Sequence, residues 1–366
     1  MRRIVLSSLL LFAAALPLLG ELTRGTPAPE FPHGVRWIPA GTRPLSMREL
    51  KGKVVIVDFW DYTCINCIRT FPHLKEWYRR YHADGLEIIG VHRGEFAFAS
   101  EPDNVEKAYR RLALPYPAIA DTRSEIWRAY DCNSWPDTFV IDRGGIIREA
   151  HRGEGDYGSE ERLLQDLLRQ GHKELDFSSL AIPEDRPITG KACGDVSPEI
   201  YVGAARGGIW GGQIANAEGF HDGRVVEYRA TENRVVRGFF ARGSWRNRPD
   251  DFEAAEDPTP DRPVTLGISY RGREVYAVLD RAAVGPIDVV ITRNGASIPE
   301  GQRGKDIHVL PDGRTAVTID EPRMYYLVAN EDDTATHELV LAPEKKGARI
   351  CSFTFSNRCL LDFDRL

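Results

Sequence analysis

The sequence predicts an α/β layered sheet followed by an all-β sandwich. Over the first half, short apolar runs alternate with amphipathic helical stretches, the order expected of a sheet covered by helices. From about residue 225 onward, β-rich runs separated by Gly, Pro, Asn and Asp follow one another with no helical stretch between them, as in a sandwich. Between the two textures lies a segment with Pro183, Pro187 and Pro198, mixed charge and little periodicity, which reads as a linker. A chain of 366 residues is long for one domain and sufficient for two, each with its own core. The expected division is an N-terminal segment 1–20, an α/β domain 28–172, a linker 173–198 and a β-sandwich 199–366.

Residues 53–60 form a short, β-branched, apolar run suited to a strand buried on both faces. Behind it Ile68, Phe71, Leu74, Trp77, Tyr78 and Tyr81 recur at helical spacing, and Pro72 is expected to kink that helix because it removes a backbone donor. Apolar stretches at 86–91, 117–120, 138–141 and 146–150 then alternate with helical candidates at 102–112, 123–130 and 159–170. Ser46-Met47-Arg48-Glu49 is a capping box and marks the start of a short helix. In the second half, strands are expected at 225–230, 235–240, 264–270, 274–279, 287–292, 315–319, 323–328, 337–341 and 348–355, with the acidic stretch 250–261 as a solvated loop.

Cys64 and Cys67 stand at the junction of the 53–60 strand and the following helix. A Cys-x-x-Cys there can close a disulfide and hold a thiolate against helix N-terminal amides, the equipment for electron exchange between thiols. The alternatives are a structural disulfide or half of a zinc site. Zinc would need two further ligands at suitable spacing, and neither a second Cys-x-x-Cys nor a His-x-x-x-His is present. Cys64, on the N-cap side and nearer solvent, is the expected attacking thiolate, and Cys67, one turn inside, resolves the mixed disulfide. Gly153-Glu154-Gly155-Asp156-Tyr157-Gly158 formally matches a dinucleotide fingerprint, but no further strand with an acidic ribose ligand follows it.

Asp58-Phe59-Trp60 ahead of Cys64, the Cys-x-x-Cys itself, Pro72 five residues after Cys67, and Trp135-Pro136 before a strand together resemble a thioredoxin fold. The stretches 51–69, 90–98 and 135–142 resemble the TlpA/ResA-like group and, within it, the extracytoplasmic thioredoxin domain of DipZ-type proteins. The chain departs from thioredoxin in having Ile65-Asn66 between the cysteines and Thr63 before them. The resemblance implies an α/β thioredoxin fold and thiol-disulfide oxidoreductase activity on protein clients. It also implies Asp58 as an internal acid that relays a proton to or from Cys67, where burial would raise its pKa, and Glu95 as a carboxylate that tunes the thiols or meets the client. Against these stand a strand-end aspartate bonded to backbone and a solvated loop glutamate. His92, Trp60, Tyr62, Trp135 and Pro136 are candidates for the groove. A cis Trp135-Pro136 bond is expected, exposing backbone for pairing with a client strand, against the ordinary trans turn proline.

The second half resembles the C-terminal module of DipZ-type proteins at 320–325 and 352–355, whose shape is similar to carbohydrate-binding modules, so the sandwich is expected to be jelly-roll-like. Trp210, Trp245 and Tyr201 are a candidate sugar-stacking platform, against which stands the ordinary place of aromatics in a sandwich core. This half offers no nucleophile-base pair or metal-ligand cluster in its sequence, so the chemistry is expected in the first domain alone, with the sandwich docking a client, a partner or a polymer.

Arg2-Arg3 ahead of the apolar stretch 4–19 reads as a signal peptide or an uncleaved membrane anchor, hence export to the periplasm or another extracytoplasmic space. No other stretch reaches the ~18 apolar residues of a membrane span. DipZ-type proteins often carry a multi-span electron-delivering module in the same chain; here the expected donor is a separate membrane protein of CcdA/DsbD type. A formal charge of −6 with both signs mixed gives no basic footprint for nucleic acid. No cofactor or metal is expected. In an oxidising compartment Cys193 is expected to pair with Cys359 across the ends of the sandwich, leaving Cys132 and Cys351 as core thiols. The competing functions are a catalytically silent binding protein and a thiol peroxidase. The second cysteine three residues on and the absence of a Pro-x-x-x-Thr-x-x-Cys around Cys64 speak against the peroxidase.

Overall fold

The computed structural model describes residues 24–170, 177, 196–207, 213–235, 237–282, 285–331 and 334–357. The N-terminal segment, nearly all of the linker, Trp210, Cys193 and Cys359 lie outside them.

The first domain is a six-stranded mixed sheet in the order β1-β4-β3-β2-β5-β6. Its strands are β1 (Arg36–Ile38), β2 (Val54–Trp60), β3 (Leu86–His92), β4 (Ala118–Ala120), β5 (Asp137–Ile141) and β6 (Ile147–Arg152). β2, β3 and β4 run parallel, and β1, β5 and β6 close the two sides antiparallel, which is the thioredoxin arrangement. Every residue of β2 and β3 is buried, because α1 (Ile65–Tyr81) and α4 (Tyr157–Arg169) cover one face while α3 (Glu125–Ala129) covers the other; α2 (Pro102–Arg111) packs beside β1. α1 runs on through Pro72. Ser46 and Glu49 do exchange the hydrogen bonds of a capping box, but around a turn at 47–50 instead of a helix.

The second domain is a two-layer sandwich. After β7 (Ile200–Tyr201), the short helix α5 (Ala204–Gly207), β8 (Gln213–Ile214) and β9 (Val225–Tyr228) come β10 (Gly238–Asn247), β11 (Phe252–Ala254), β12 (Thr265–Tyr270) and β13 (Glu274–Arg281). β14 (Ile287–Arg293), β15 (Ala296–Ser297), β16 (Ile307–Val309), β17 (Thr315–Ile319), β18 (Arg323–Ala329), β19 (His337–Pro343) and β20 (Ala348–Ser356) complete it. All pairings are antiparallel except the short one of β8 with β10. β10 serves both layers: residues 239–242 pair with β12, residues 245–247 with β11, and Gly243 at φ +84° turns the strand between them.

The stretch 250–261 is not simply a solvated loop. Phe252 and Ala254 enter the sandwich core as β11, with Glu253 between them on the other face of the strand, and Asp251 is buried as well.

β13 is buried along nearly its whole length although it belongs to a sandwich with one inner face. Val275, Ala277 and Leu279 point into the sandwich core, whereas Val278, with Cys351 of β20, joins the apolar core of the first domain. The two domains therefore share apolar packing. Arg69 of α1 bridges Glu154 at 3.2 Å and Glu274 at 3.5 Å, Ala97 N–H donates to Asp250 at 3.1 Å, and Arg111 pairs with Glu321.

Candidate active site

β2 delivers the chain to the site and α1 carries it away. Cys64 is the N-cap of α1 with extended backbone, and its Sγ accepts the Cys67 N–H at 3.4 Å. Half-buried Cys64 also directs its Sγ–H to the Trp135 carbonyl at 3.8 Å, whereas Cys67 is fully buried. No disulfide joins them in this structure. Burial first, then the neighbouring Cys64 and the charge of Asp58, push the Cys67 thiol well above its ordinary pKa. The Trp135-Pro136 bond is cis, as is Ile38-Pro39.

Asp58 lies on β2 between Gly90 of β3 and Thr138 of β5, with no exposed surface and no hydrogen-bond partner for either carboxyl oxygen among the described residues. Desolvation, with a smaller contribution from Asp137, raises its pKa to about 8.

Asp61 went unnoticed in the sequence, yet it ties the whole turn together. Its Oδ1 accepts Thr63 N–H at 3.0 Å and stands 3.3 Å from His92 Nε2, its Oδ2 accepts Glu95 N–H at 2.6 Å, and its carbonyl accepts Cys64 N–H at 3.2 Å. Burial alone would raise the Asp61 pKa, but the His92 ring and these backbone donors outweigh it and hold the carboxyl below its ordinary value. The signal available was an Asp just ahead of a helix start, where its side chain can satisfy turn amides.

The candidate groove residues divide. Trp60, Tyr62 and His92 are at most 2% exposed and stack among themselves, His92 on Tyr62 at 5.3 Å and edge-on to Trp60 at 4.6 Å. They form the floor beneath the turn, because β2 and β3 are inner strands, and present no face to a client here. Trp135 is half-buried and packs on Trp127 at 4.5 Å, with the Arg93 guanidinium 5.0 Å over the first ring and 5.4 Å over the second. Arg93 donates to Ser124 Oγ at 3.2 Å, and no ion pair engages it among the described residues. This cationic aromatic ledge beside the Trp135 carbonyl was only half visible in the sequence, since Arg93 and Trp127 come from different segments.

Glu95 is placed at the domain junction. Its Oε1 accepts Tyr201 O–H at 2.7 Å and Arg206 Nη1 at 2.6 Å, and its carbonyl accepts Arg206 Nη2 at 2.8 Å. Burial raises its pKa against the pull of Arg206 and Tyr201. Nearby Glu199, held by Thr354 Oγ1 at 2.8 Å, is pushed up to about 7 by burial and then by the charge of Glu95. Tyr201 is thus spent on the junction and Trp245 is fully buried in the sandwich core, so neither can stack on a sugar. No group of three His, Cys, Asp or Glu side chains suited to a metal occurs among the described residues.

Residues 25–150 match the model of the AhpC/TSA family and residues 197–356 that of the thioredoxin-like C-terminal domain. The chain is 32% identical to Protein DipZ of Mycobacterium bovis over 90% of its own length, and spans 42% of that relative. It is 33% identical to the thiol-disulfide oxidoreductase ResA of Geobacillus thermodenitrificans over 29% of its length and 59% of the relative. Among solved structures, a protein from Chlorobium tepidum described as a putative thiol:disulfide interchange protein DsbE covers 40% of this chain and 99% of its own, at 24% identity and TM-score 0.36. The chain is thus similar to the AhpC/TSA family over residues 25–150, to the thioredoxin-like C-terminal domain over residues 197–356, and to Protein DipZ over both.

Proposed function

We propose that the chain is an extracytoplasmic thiol-disulfide oxidoreductase that reduces protein clients through Cys64 and Cys67. One observation carries the reading: an accessible N-cap thiol and a buried second thiol stand one turn apart, the second beside an unpartnered internal acid. Cys64, as the thiolate, attacks a client disulfide, and the Trp135 carbonyl offers a backbone acceptor to the client chain. Cys67 then loses its proton to Asp58 and attacks Cys64 Sγ, releasing the client as a dithiol and leaving Cys64-Cys67 oxidised. The Arg93-Trp127-Trp135 ledge suits a client segment with an acidic or aromatic residue beside its cysteine.

Export rests on the apolar segment after Arg2-Arg3, and reduction needs a donor of electrons, for which a separate membrane protein of CcdA/DsbD type is the proposed source. No helix among the described residues is long and apolar enough to cross a membrane. The test is insulin reduction by the reduced full chain beside a peroxide assay. Turnover of insulin without peroxide turnover supports the reading; peroxide turnover alone makes the protein a peroxidase, and neither makes it a binding protein.

A further inference from the structure

The loop after β3 lies between the two domains and touches both. Toward the site, its Glu95 N–H donates to Asp61 Oδ2 at 2.6 Å, and the Tyr62 hydroxyl donates to the Phe98 carbonyl at 3.4 Å. Toward the sandwich, Arg206 donates to Glu95 Oε1 at 2.6 Å and to the Glu95 carbonyl at 2.8 Å, Tyr201 donates to the same Oε1 at 2.7 Å, and Asp250 accepts the Ala97 N–H at 3.1 Å. The Arg206 guanidinium also lies 5.5 Å over the ring of Phe96, which is buried and stacks on Phe98 at 5.6 Å.

This bridge is stiff at both ends. The loop folds back so closely that a Cβ at Gly94 would lie 2.5 Å from the Ala99 carbonyl carbon. On the sandwich side, Tyr201 is fixed by the pairing of β7 with β20. The helix α5 hangs on the turn at 248–250, with Ala204 N–H on the Arg248 carbonyl at 2.9 Å and Ala205 N–H on the Pro249 carbonyl at 3.0 Å, and the same turn supplies Asp250. At the other end Asp61 accepts Thr63 N–H on Oδ1 at 3.0 Å and Cys64 N–H on its carbonyl at 3.2 Å. The turn that presents Cys64 to Cys67 is therefore tied to the residue that the loop holds. A guanidinium that clasps both a carboxylate and a carbonyl of one residue fixes its orientation as well as its place, which the point charge of a lysine does not.

We propose that Arg206 and Tyr201 of the second domain position the Cys64-Cys67 turn through Glu95 and Asp61, and thereby set the stability of its disulfide. The proposal rests on the dithiol-disulfide reading above. Oxidation by glutathione disulfide forms the bond between Cys64 Sγ and Cys67 Sγ, breaks the glutathione S–S bond, and passes two electrons and two protons from the dithiol to two glutathione thiols. A turn held in place brings the two sulfurs together at little further loss of entropy, so each has a high effective concentration toward the other. Loosening the turn lowers that concentration and weakens the disulfide relative to the dithiol. Arg206 and Tyr201 are positioning residues, since they act on the sulfurs through Glu95 and Asp61.

The test is the equilibrium of the full chain with reduced and oxidised glutathione, read at the Cys64-Cys67 peptide by mass after alkylation. Arg206→Lys and Tyr201→Phe keep the charge of the junction but remove the clasp and one hydrogen bond. Arg206→Lys is expected to shift the equilibrium about fivefold toward the dithiol, about 20 mV for a two-electron couple, and Tyr201→Phe to shift it less in the same direction. Arg111→Ala breaks the pairing with Glu321 between the same two domains but away from this loop, and should match the parent. Parental values in both junction variants, a shift toward the disulfide, or an equal shift in Arg111→Ala overturns the proposal. If the junction variants do not fold, the parent decides, because coupling between two sites is reciprocal. Hydrogen exchange at residues 200–202 should then differ between the reduced and oxidised protein, and identical exchange overturns the route. A parent that forms no Cys64-Cys67 disulfide at any glutathione ratio refutes the dithiol reading itself, a separate outcome.

Discussion

Tyr201 of the sandwich donates its hydroxyl to Glu95 Oε1 of the first domain at 2.7 Å, and Arg206 donates to the same oxygen at 2.6 Å. The loop that leaves β3 is thereby fastened at two ends, to Asp61 through the Glu95 N–H and to the second domain through the Glu95 side chain. With Val278 and Cys351 seated in the core of the first domain, the sandwich braces the site, which goes beyond the docking role expected from sequence.

Arg206→Ala leaves the Glu95 carboxyl largely buried without its counter-charge. It should cost roughly 2 kcal/mol of stability, less than a fully buried pair because Arg206 keeps some exposure. Glu95→Gln should cost less, and the double variant less than the sum of the two. Urea unfolding of the four proteins measures the coupling; strictly additive costs would mean that the contact carries no energy.

Cys64→Ser should abolish turnover, whereas Cys67→Ser should keep a thiolate that captures clients without releasing them. The half-exposed N-cap position of the first and the full burial of the second dictate that order. Trapping of mixed disulfides on non-reducing gels checks it, and equal trapping by both variants would reverse the assignment.

Asp58→Asn should flatten the pH dependence of stability. An acid raised to about 8 in the folded state binds a proton that the unfolded chain has lost, so its stabilisation is full below the unfolded pKa near 4 and falls away as pH rises toward 8. The parent should lose roughly 2 to 5 kcal/mol from this group between those limits, and the variant should not. Denaturation midpoints across that range decide, and parallel curves would remove Asp58 as a raised acid.

Arg93→Ala should lower efficiency toward a peptide disulfide flanked by Asp about fivefold, near 1 kcal/mol, and leave one flanked by Lys unchanged or improved. The ledge offers one cation without an ion pair among the described residues, stacked on Trp135 and Trp127. Equal losses on both peptides would assign Arg93 to holding the tryptophans in place.

Peptide mapping under non-reducing conditions should find Cys193 linked to Cys359, with Cys132 and Cys351 as free thiols in their cores. Cys193 found free or linked elsewhere refutes the staple.

Local patterns carried most of the architecture. The uniform apolar runs of β2 and β3 and the helical spacing from Ile68 to Tyr81 made the first domain legible, because burial on both faces of a strand and on one stripe of a helix leaves different periods in the chain. The Cys64-Cys67 pair was legible from its place at a strand-helix junction, and Asp58 only through the resemblance to thioredoxins. β1 and β11 were not, since three-residue strands have too few positions to show a period and exist through the strands beside them, β4 for the first and β10 and β20 for the second. Only the tertiary structure decided which side chains lost access to solvent. Trp60, Tyr62 and His92 became the floor of the site, and Glu95 went to Tyr201 and Arg206 more than a hundred residues away. Such meetings depend on how whole layers pack, and a carboxylate that is ordinary on a loop or a helix acquires an unusual pKa only when a distant element removes its water.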